Sequence, residues 1–218
     1  MLRLMKKNIL YFAYYAAIIM PLMALYFYLV RKEFSGAMVM FQGLWLILTV
    51  EGALTVNEKT EEKQNGYYFL RILPIKDREV VLSKFLIVLI TTVFLVAFNY
   101  ALYLFIPGSV HMYAIGRVVV LLSAIYALVL TGISYVIIFR FGHAAFVKFV
   151  WAVMIISMVG PIFIYESVVL KTSTDLATIA ENLDQLFWLF WIVIPLCGLA
   201  IFYVLYQTAT KAKLKARG

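Results

Sequence analysis

Few side chains in this chain are able to carry out chemistry, and their positions exclude most catalytic sites. The two histidines, His111 and His143, are predicted on opposite faces of a membrane and cannot share a metal. The single cysteine, Cys197, excludes an intramolecular disulfide and a cysteine-based metal cluster. To act as a nucleophile, Ser134 would need a histidine base within hydrogen-bond reach, and only His143 lies even at the edge of a predicted span. Ser134 is therefore expected to hydrogen-bond within its helix or to a neighbouring helix.

Motifs for nucleotide binding and metal catalysis are also missing from the sequence. It has no Gly-x-x-x-x-Gly-Lys-Ser/Thr loop, so it does not bind ATP as a P-loop protein does. It has no His-Glu-x-x-His sequence, which excludes a zinc protease of that kind. We therefore predict that the chain is not itself an enzyme, binds no cofactor and has no metal site.

A few polar side chains fall within the apolar segments and are candidates for lining a path through the membrane. Glu51 either faces a partner or a cavity, because a lone carboxylate in lipid is costly, or lies in water at the headgroup level. Tyr14 and Asn99 lie deeper, where they line a cavity or, as we favour, bridge helices. With Tyr103, these residues form the predicted path lining.

The composition indicates a membrane protein. Hydrophobic residues make up 65% of the 218 residues and charged residues 14%, whereas soluble domains have roughly 45–50% and ~25%. A mean hydropathy of +0.97 agrees. A soluble enzyme, a disordered tail and a secreted disulfide scaffold are excluded. The net charge of +8 suggests anchoring at the cytoplasmic face, with no nucleic-acid partner.

The elements that must hold these side chains are membrane-spanning helices. A helix needs ~20 apolar residues to cross a bilayer, and six segments qualify: 9–30, 37–56, 85–106, 118–139, 144–165 and 187–206. Fifteen of the 19 lysines and arginines fall on the side that holds both termini, so both termini are predicted to be cytoplasmic. The whole chain, 1–218, is thus predicted to be one all-α transmembrane domain.

Charged residues are concentrated in the predicted cytoplasmic loop 57–84, which has 11 of the chain's 30 charges. After a charged start and Gly66, the run Tyr67-Tyr68-Phe69-Leu70-Arg71-Ile72-Leu73 predicts a short amphipathic helix that ends at Pro74. Asp77 is predicted to cap the helix that runs into the third span. An apolar run in water needs a cover, either the lipid headgroups or, as we favour, a docked cytoplasmic subunit.

This loop resembles that of the membrane subunit of an ABC transporter of the ABC-2 type. The resemblance rests on the charged stretch Glu58–Lys63, Gly66, the apolar run Tyr67–Leu73, Pro74-Ile75, and Glu79–Leu82 followed by Lys84. The plan of six spans with both ends inside extends it to the whole chain. It implies the ABC-2 permease fold, similar to type V exporters. The residues before span six, Glu166–Gln185, depart from the family pattern by being short.

The resemblance also implies partners and site residues. Gly66–Leu73 (Gly66, Tyr67, Tyr68, Phe69, Leu70, Arg71 and Leu73) would be the coupling helix that docks on a separate ATP-binding subunit. Two such subunits would carry ATP and magnesium, and two permease chains would pair, as a homodimer by preference or as a heterodimer. The second cytoplasmic loop, with Arg140, Phe141, His143 and Lys148, is either a second contact for the ATPase or a simple helix reversal.

The function expected from these observations is ATP-driven export across a prokaryotic plasma membrane, by a multi-pass permease. Aromatic and methionine side chains with few charges suit a hydrophobic or amphipathic substrate, such as an amphipathic peptide, a drug or a lipid-like molecule. Two other functions remain open. One is a membrane scaffold that assembles proteins without transport. The other is an intramembrane enzyme that acts on lipid and depends on a single polar residue such as Ser134 or Glu51.

Overall fold

Long apolar runs with few glycines and prolines form long helices throughout the described part of the chain. The computed structural model describes residues 2–30, 36–63, 76–105, 110–164 and 189–215. Its helices are α1 (Leu2–Val30), α2 (Gly36–Lys63), α3 (Asp77–Phe105), α4 (Val110–Phe141), α5 (His143–Ile164) and α6 (Ile194–Lys215). One π-helical turn, Leu189–Val193, leads directly into α6.

Three described stretches are long and apolar enough to cross a membrane: Asp77–Leu102, Gly116–Phe141 and Trp191–Leu214. Shorter apolar helical stretches cover Phe12–Leu25 and His143–Val153. The prediction of an all-helical membrane protein is confirmed for the part of the chain that the structure describes. Each predicted span overlaps one of the described helices, while the span bounds, the count of six crossings and the cytoplasmic termini stay predictions.

The helices on either side of the predicted loop 57–84 are longer than the hydropathy pattern indicates. α2 does not end at Val56 but continues to Lys63, because its buried face continues at helical spacing through Val50, Leu54, Glu58 and Glu61. A hydropathy criterion ends the span at Val56, because charged residues follow it. The helix itself continues, because some of those charged residues, Glu58 and Glu61, are buried on the same face.

The start of α3 differs from the prediction by one residue. The carbonyl of Lys76 accepts hydrogen bonds from the amides of Glu79 at 2.9 Å and Val80 at 3.3 Å. Lys76 therefore occupies the capping position, and Asp77, predicted as the cap, is the first helical residue. Asp77 and Glu79 still place negative charge in the first turn, where the helix dipole favours it.

α4 lies at the centre of the bundle and packs against α2, α3, α5 and α6. Small residues allow close approach to two of them. A β-carbon added at Gly132 would lie 2.8 Å from Leu205 Cδ1 of α6, and one added at Gly198 of α6 would lie 2.8 Å from Ile125 of α4. On the other side, Gly43 of α2 leaves no room for a side chain against Ser123 and Val119 of α4. These contacts set the distance between α4 and its neighbours.

An aromatic cluster joins three helices near one end of the bundle. The ring of Phe85 in α3 lies 5.5 Å from Tyr135 in α4, and 4.9 Å and 5.5 Å from Phe202 and Tyr206 in α6, measured between ring centroids. All four side chains are buried. Such pairs add to the hydrophobic contribution of the rings, so this cluster fixes α3, α4 and α6 against each other.

The tight contact at Gly132 can be tested by filling it. We expect Gly132→Val to destabilise the protein by roughly 1–3 kcal/mol, because the new side chain overlaps Leu205 and the helices cannot separate without loss of packing. Thermal unfolding in detergent would measure the loss. The double variant with Leu205→Ala should recover part of the stability, and a single variant as stable as the native chain would contradict the close approach.

Candidate functional site

The ends of five helices meet at one end of the bundle, which we call the charged end. It contains the last turns of α2 (58–63), the first turns of α3 (76–84), the turn between α4 and α5 (140–143) and the last turns of α6 (206–215). The sequence analysis places the same segments on one face of the membrane. The predicted coupling helix Gly66–Leu73 lies outside the described residues, but both helices that lead to it are described.

A buried ion pair joins these two helices. The ammonium group of Lys84 in α3 binds the carboxylate of Glu58 in α2, and their side chains are 2% and 0% exposed. The same ammonium group lies 5.5 Å from the ring centroid of Tyr135 in α4. Buried charges are tolerated when they are paired, so this pair can persist only while α2 and α3 stay in contact. It therefore fixes the two helices on either side of the predicted coupling helix.

Further contacts tie the start of α3 to the end of α6. Lys213 Nζ lies 3.9 Å from Asp77 Oδ1 and 5.0 Å from the ring centroid of Phe139. One residue further along α3, Arg78 Nε donates a hydrogen bond to the Tyr206 hydroxyl at 3.2 Å. The first turn of α3 is thus held by two side chains of the last helix, which lies far away in the sequence.

The predicted second contact is a tight turn between α4 and α5. Gly142 has a φ of 84°, which a glycine adopts without strain, and its amide donates to the Ile138 carbonyl at 3.0 Å. The side chain of Phe141 is 63% exposed, and the guanidinium of Arg140 lies 5.2 Å from its ring centroid. Lys148 is also exposed. This turn therefore presents a cation and an aromatic ring on the surface of the charged end.

His143 serves a different contact from the rest of this turn. Its Nε2 lies 3.2 Å from Glu62 Oε2 and links the start of α5 to the end of α2. The side chain of His143 is only 16% exposed, whereas that of Glu62 is 57% exposed. The turn is therefore joined to the same end of α2 that leads to the predicted coupling helix.

The predicted path-lining residues lie in unlike surroundings. Tyr14 of α1 is 66% exposed on the outside of the described bundle, while Asn99 is fully buried in α3 and donates to the Leu95 carbonyl at 2.7 Å. Glu51 is 2% exposed and lies against α4, where Thr131 Oγ1 is 2.9 Å from its Oε1. The side chain of Tyr103 lies outside what the structure describes. The structure does not bring Tyr14, Glu51 and Asn99 together around one space, and the role of all four predicted residues as a path stays a prediction.

The sequence analysis missed the ion pair between Glu58 and Lys84, although both residues were noted. It treated Glu58 as the charged start of a loop and Lys84 as the end of a motif. The available signal was spacing, because Glu58 and Glu61 continue the buried helical face of Val50 and Leu54. Within the described residues, no group of three or more histidine, cysteine, aspartate or glutamate side chains is placed to hold a metal.

The chain was compared with protein families, curated proteins and solved structures. A family model described as an ABC-2 family transporter protein matches residues 3–212, which is nearly the whole chain. No curated protein and no solved structure matches the chain.

The ion pair makes a specific prediction about stability. Replacing Lys84 alone with methionine should cost about 3–5 kcal/mol, because it leaves the Glu58 carboxylate buried without its cation. The double variant Glu58→Met with Lys84→Met should be much less destabilised, since no unpaired charge remains. Unfolding in detergent, followed by circular dichroism, would compare the two.

Lys59→Met is the matched control, because Lys59 is an exposed lysine next to Glu58 on the same helix. Its effect should stay within about 0.5 kcal/mol. If Lys84→Met were as mild as Lys59→Met, the buried pair would not hold the charged end together.

Proposed function

The chain belongs to the ABC-2 family of transporter proteins, and from that premise we propose that it is the membrane subunit of an ATP-driven exporter. Members of this family are transmembrane subunits and not ATPases. The observation that carries the proposal is the family match over residues 3–212, because it covers the membrane helices and the charged end together. The missing P-loop fits a transporter whose ATPase is a separate chain.

The proposed docking element is Gly66–Leu73, between α2 and α3. The chain leaves α2 at Lys63 and enters α3 at Asp77, and the ion pair between Glu58 and Lys84 holds these helices to each other. Both ends of the proposed coupling helix are therefore anchored to the same part of the bundle. A force applied to such an element would move α2 and α3 as one body.

A second contact on the ATPase would come from the turn between α4 and α5. Phe141 is exposed beside the Arg140 guanidinium, a combination that binds protein surfaces well. The link between His143 and Glu62 places this turn close to the end of α2. One partner could therefore contact both elements at the charged end.

The proposed mechanism transmits ATP binding into movement of whole helices. Two ATP-binding subunits, which hold ATP and magnesium, approach each other and displace the coupling helices of two paired permease chains. The helices then move as rigid bodies, and a groove between the two chains opens outward. The buried pair of Glu58 and Lys84 supports rigid movement, because bending between α2 and α3 would expose or separate its charges.

The proposed substrate is hydrophobic or amphipathic, such as an amphipathic peptide, a drug or a lipid-like molecule. The outward faces of the described helices are apolar and aromatic, with Tyr14, Trp151 and Tyr203 each more than 60% exposed. A soluble sugar would need more hydrogen-bonding side chains on such a face. We place the complex in the plasma membrane of a prokaryote, as a pair of identical permease chains with two ATPases.

Co-purification with an ATP-binding protein encoded beside this chain tests the proposal. We expect a stable complex with ATPase activity, and we expect Phe69→Asp with Leu70→Asp to abolish it, since two carboxylates in an apolar docking face cannot be desolvated cheaply. Leu214→Asp is the control, because it adds a carboxylate at an exposed leucine of α6. The control should keep the complex.

Other outcomes separate the rival functions. A stable complex with a protein that lacks ATPase activity would favour the scaffold. Lipid turnover by the purified chain alone, lost on changing Ser134 or Glu51, would favour the intramembrane enzyme. A complex with the ATPase that is indifferent to the double change would show that Gly66–Leu73 is not the docking element.

A further inference from the structure

Glu51 is a buried acidic residue that the proposed transport mechanism does not use. It lies in α2, and its side chain is 2% exposed. Glu58, where the charged end begins, is two helical turns further along the same helix, so Glu51 lies about 10 Å deeper in the bundle. At that depth a charged carboxylate would need a cation or several hydrogen-bond donors.

No cation meets that need within the described residues. No lysine, arginine or histidine side chain there lies within ion-pair distance of Glu51, and Lys84 is paired with Glu58. Tyr135 of α4, which is buried, lies within electrostatic reach of Glu51 and also of Glu58 and Glu61 on the same helix as Glu51. None of these would stabilise a negative charge on Glu51.

The hydroxyl of Thr131 lies within hydrogen-bond distance of two oxygens, one of which belongs to Glu51. Thr131 Oγ1 lies 2.7 Å from the Ala127 carbonyl oxygen and 2.9 Å from Glu51 Oε1. A threonine hydroxyl has one hydrogen, and a carbonyl oxygen has none to give. When the hydroxyl donates to the Ala127 carbonyl, the hydrogen between Thr131 and Glu51 must come from the glutamate. That requires a neutral carboxylic acid.

A second hydroxyl lies beside the same carboxyl group. Ser134 is one helical turn from Thr131, is completely buried, and has no hydrogen-bond partner at normal distance. It can donate to the carbonyl oxygen of a neutral acid once Glu51 turns slightly toward it. The pocket formed by Thr131 and Ser134 thus offers an acceptor for an acid hydrogen and a donor for the remaining oxygen.

From this arrangement we propose that Glu51 is a proton-binding site, and that the contact between α2 and α4 is made by its neutral acid, which donates to Thr131 Oγ1. The ligand is a proton, and the site consists of Glu51, Thr131 and Ser134. It is distinct from the charged end, where Glu58 binds a cation as a carboxylate. The inference does not depend on the proposed function, because it concerns the chain alone.

Infrared spectroscopy of the purified chain tests the proposal directly. In a maltoside detergent, which contains no carbonyl group, the wild type should show at neutral pH the C=O stretching band of a protonated carboxyl group. Glu51→Gln should remove that band and keep the fold, because the amide group also donates a hydrogen bond to Thr131. Glu62→Gln is the matched control, since Glu62 is an exposed glutamate of the same helix and its change should leave the band in place.

Two variants of Thr131 test the geometry without changing the acid. Thr131→Val removes the acceptor, so the C=O band should move to higher frequency as the acid loses its hydrogen bond. Thr131→Ser keeps the hydroxyl and should leave the band where it is. These variants decide the question even if Glu51→Gln does not fold.

Thermal unfolding supplies an independent readout. Glutamate in an unfolded chain is ionised at neutral pH, so the folded state binds one more proton than the unfolded state. Stability then falls as pH rises, by about tenfold in the folding equilibrium constant per pH unit while the acid stays protonated. Glu51→Gln lacks this dependence, so its advantage over the wild type should grow with pH.

Three results would contradict the proposal. A wild type without a neutral-acid band at neutral pH, or a band that survives in Glu51→Gln, would show that Glu51 holds no proton. An unchanged band in Thr131→Val would show that Thr131 is not the acceptor. A stability difference between wild type and Glu51→Gln that does not change with pH would contradict proton uptake on folding.

Discussion

The interaction between Glu58 and Lys84 fixes the arrangement of the charged end. Two ions that leave water are tolerated only in contact with each other, so their pairing holds α2 beside α3 at the point where the chain leaves one helix and later enters the other. The contacts of Asp77 and Arg78 with α6, and of Glu62 with α5, follow from the same placement. Four helices therefore meet at one end through polar side chains, although their apolar surfaces alone would allow many relative positions.

Deeper in the bundle, the relative positions of the helices depend on the shapes of their packed surfaces and less on ion pairs. Helices in a membrane gain little from burying apolar groups against each other, because lipid is as apolar as leucine. Which helix faces meet then depends on close packing. Glycines of α2, α4 and α6 leave space for side chains of the neighbouring helix at these contacts. Threonines in these helices satisfy their hydroxyls on carbonyls four residues back, as Thr49 and Thr131 do. The outward faces keep large apolar side chains, such as Ile18, Trp151 and Tyr203.

The sequence predicted the all-helical membrane class and the family, because both depend on long apolar runs and on a local pattern of residues. It did not predict the pairing of Glu58 with Lys84, since an ion pair between residues far apart in sequence depends on how two helices pack. The sequence-based prediction also ended the second span at Val56 and treated the residues after it as a loop. A hydropathy criterion cannot distinguish a charged loop from a helix whose buried face is charged. The sequence pattern also assigned the capping position to Asp77, whereas Lys76 occupies it. Lys76 accepts the first hydrogen bonds of the helix with its backbone carbonyl, which a residue of any type can do, so its side chain gives no signal in the sequence. Gly66–Leu73 lies outside the described residues, so its role as the docking element stays a prediction.

Glu51 and Glu58 show how depth in the bundle changes the chemistry of one residue type. Both lie on the buried face of α2, two turns apart, and both are almost inaccessible to solvent. Glu58 is close enough to the end of the helix for Lys84 to reach it from the start of α3, so it can remain a carboxylate. Glu51 faces the middle of α4, where the available groups are hydroxyls and a backbone carbonyl. Because no lysine or arginine of the described residues lies within ion-pair distance of Glu51, a proton is the positive charge that can accompany this carboxylate into the bundle. The same helix therefore carries a paired charge at the end that leads to the proposed coupling helix, and a neutral hydrogen-bonding group where it packs against α4.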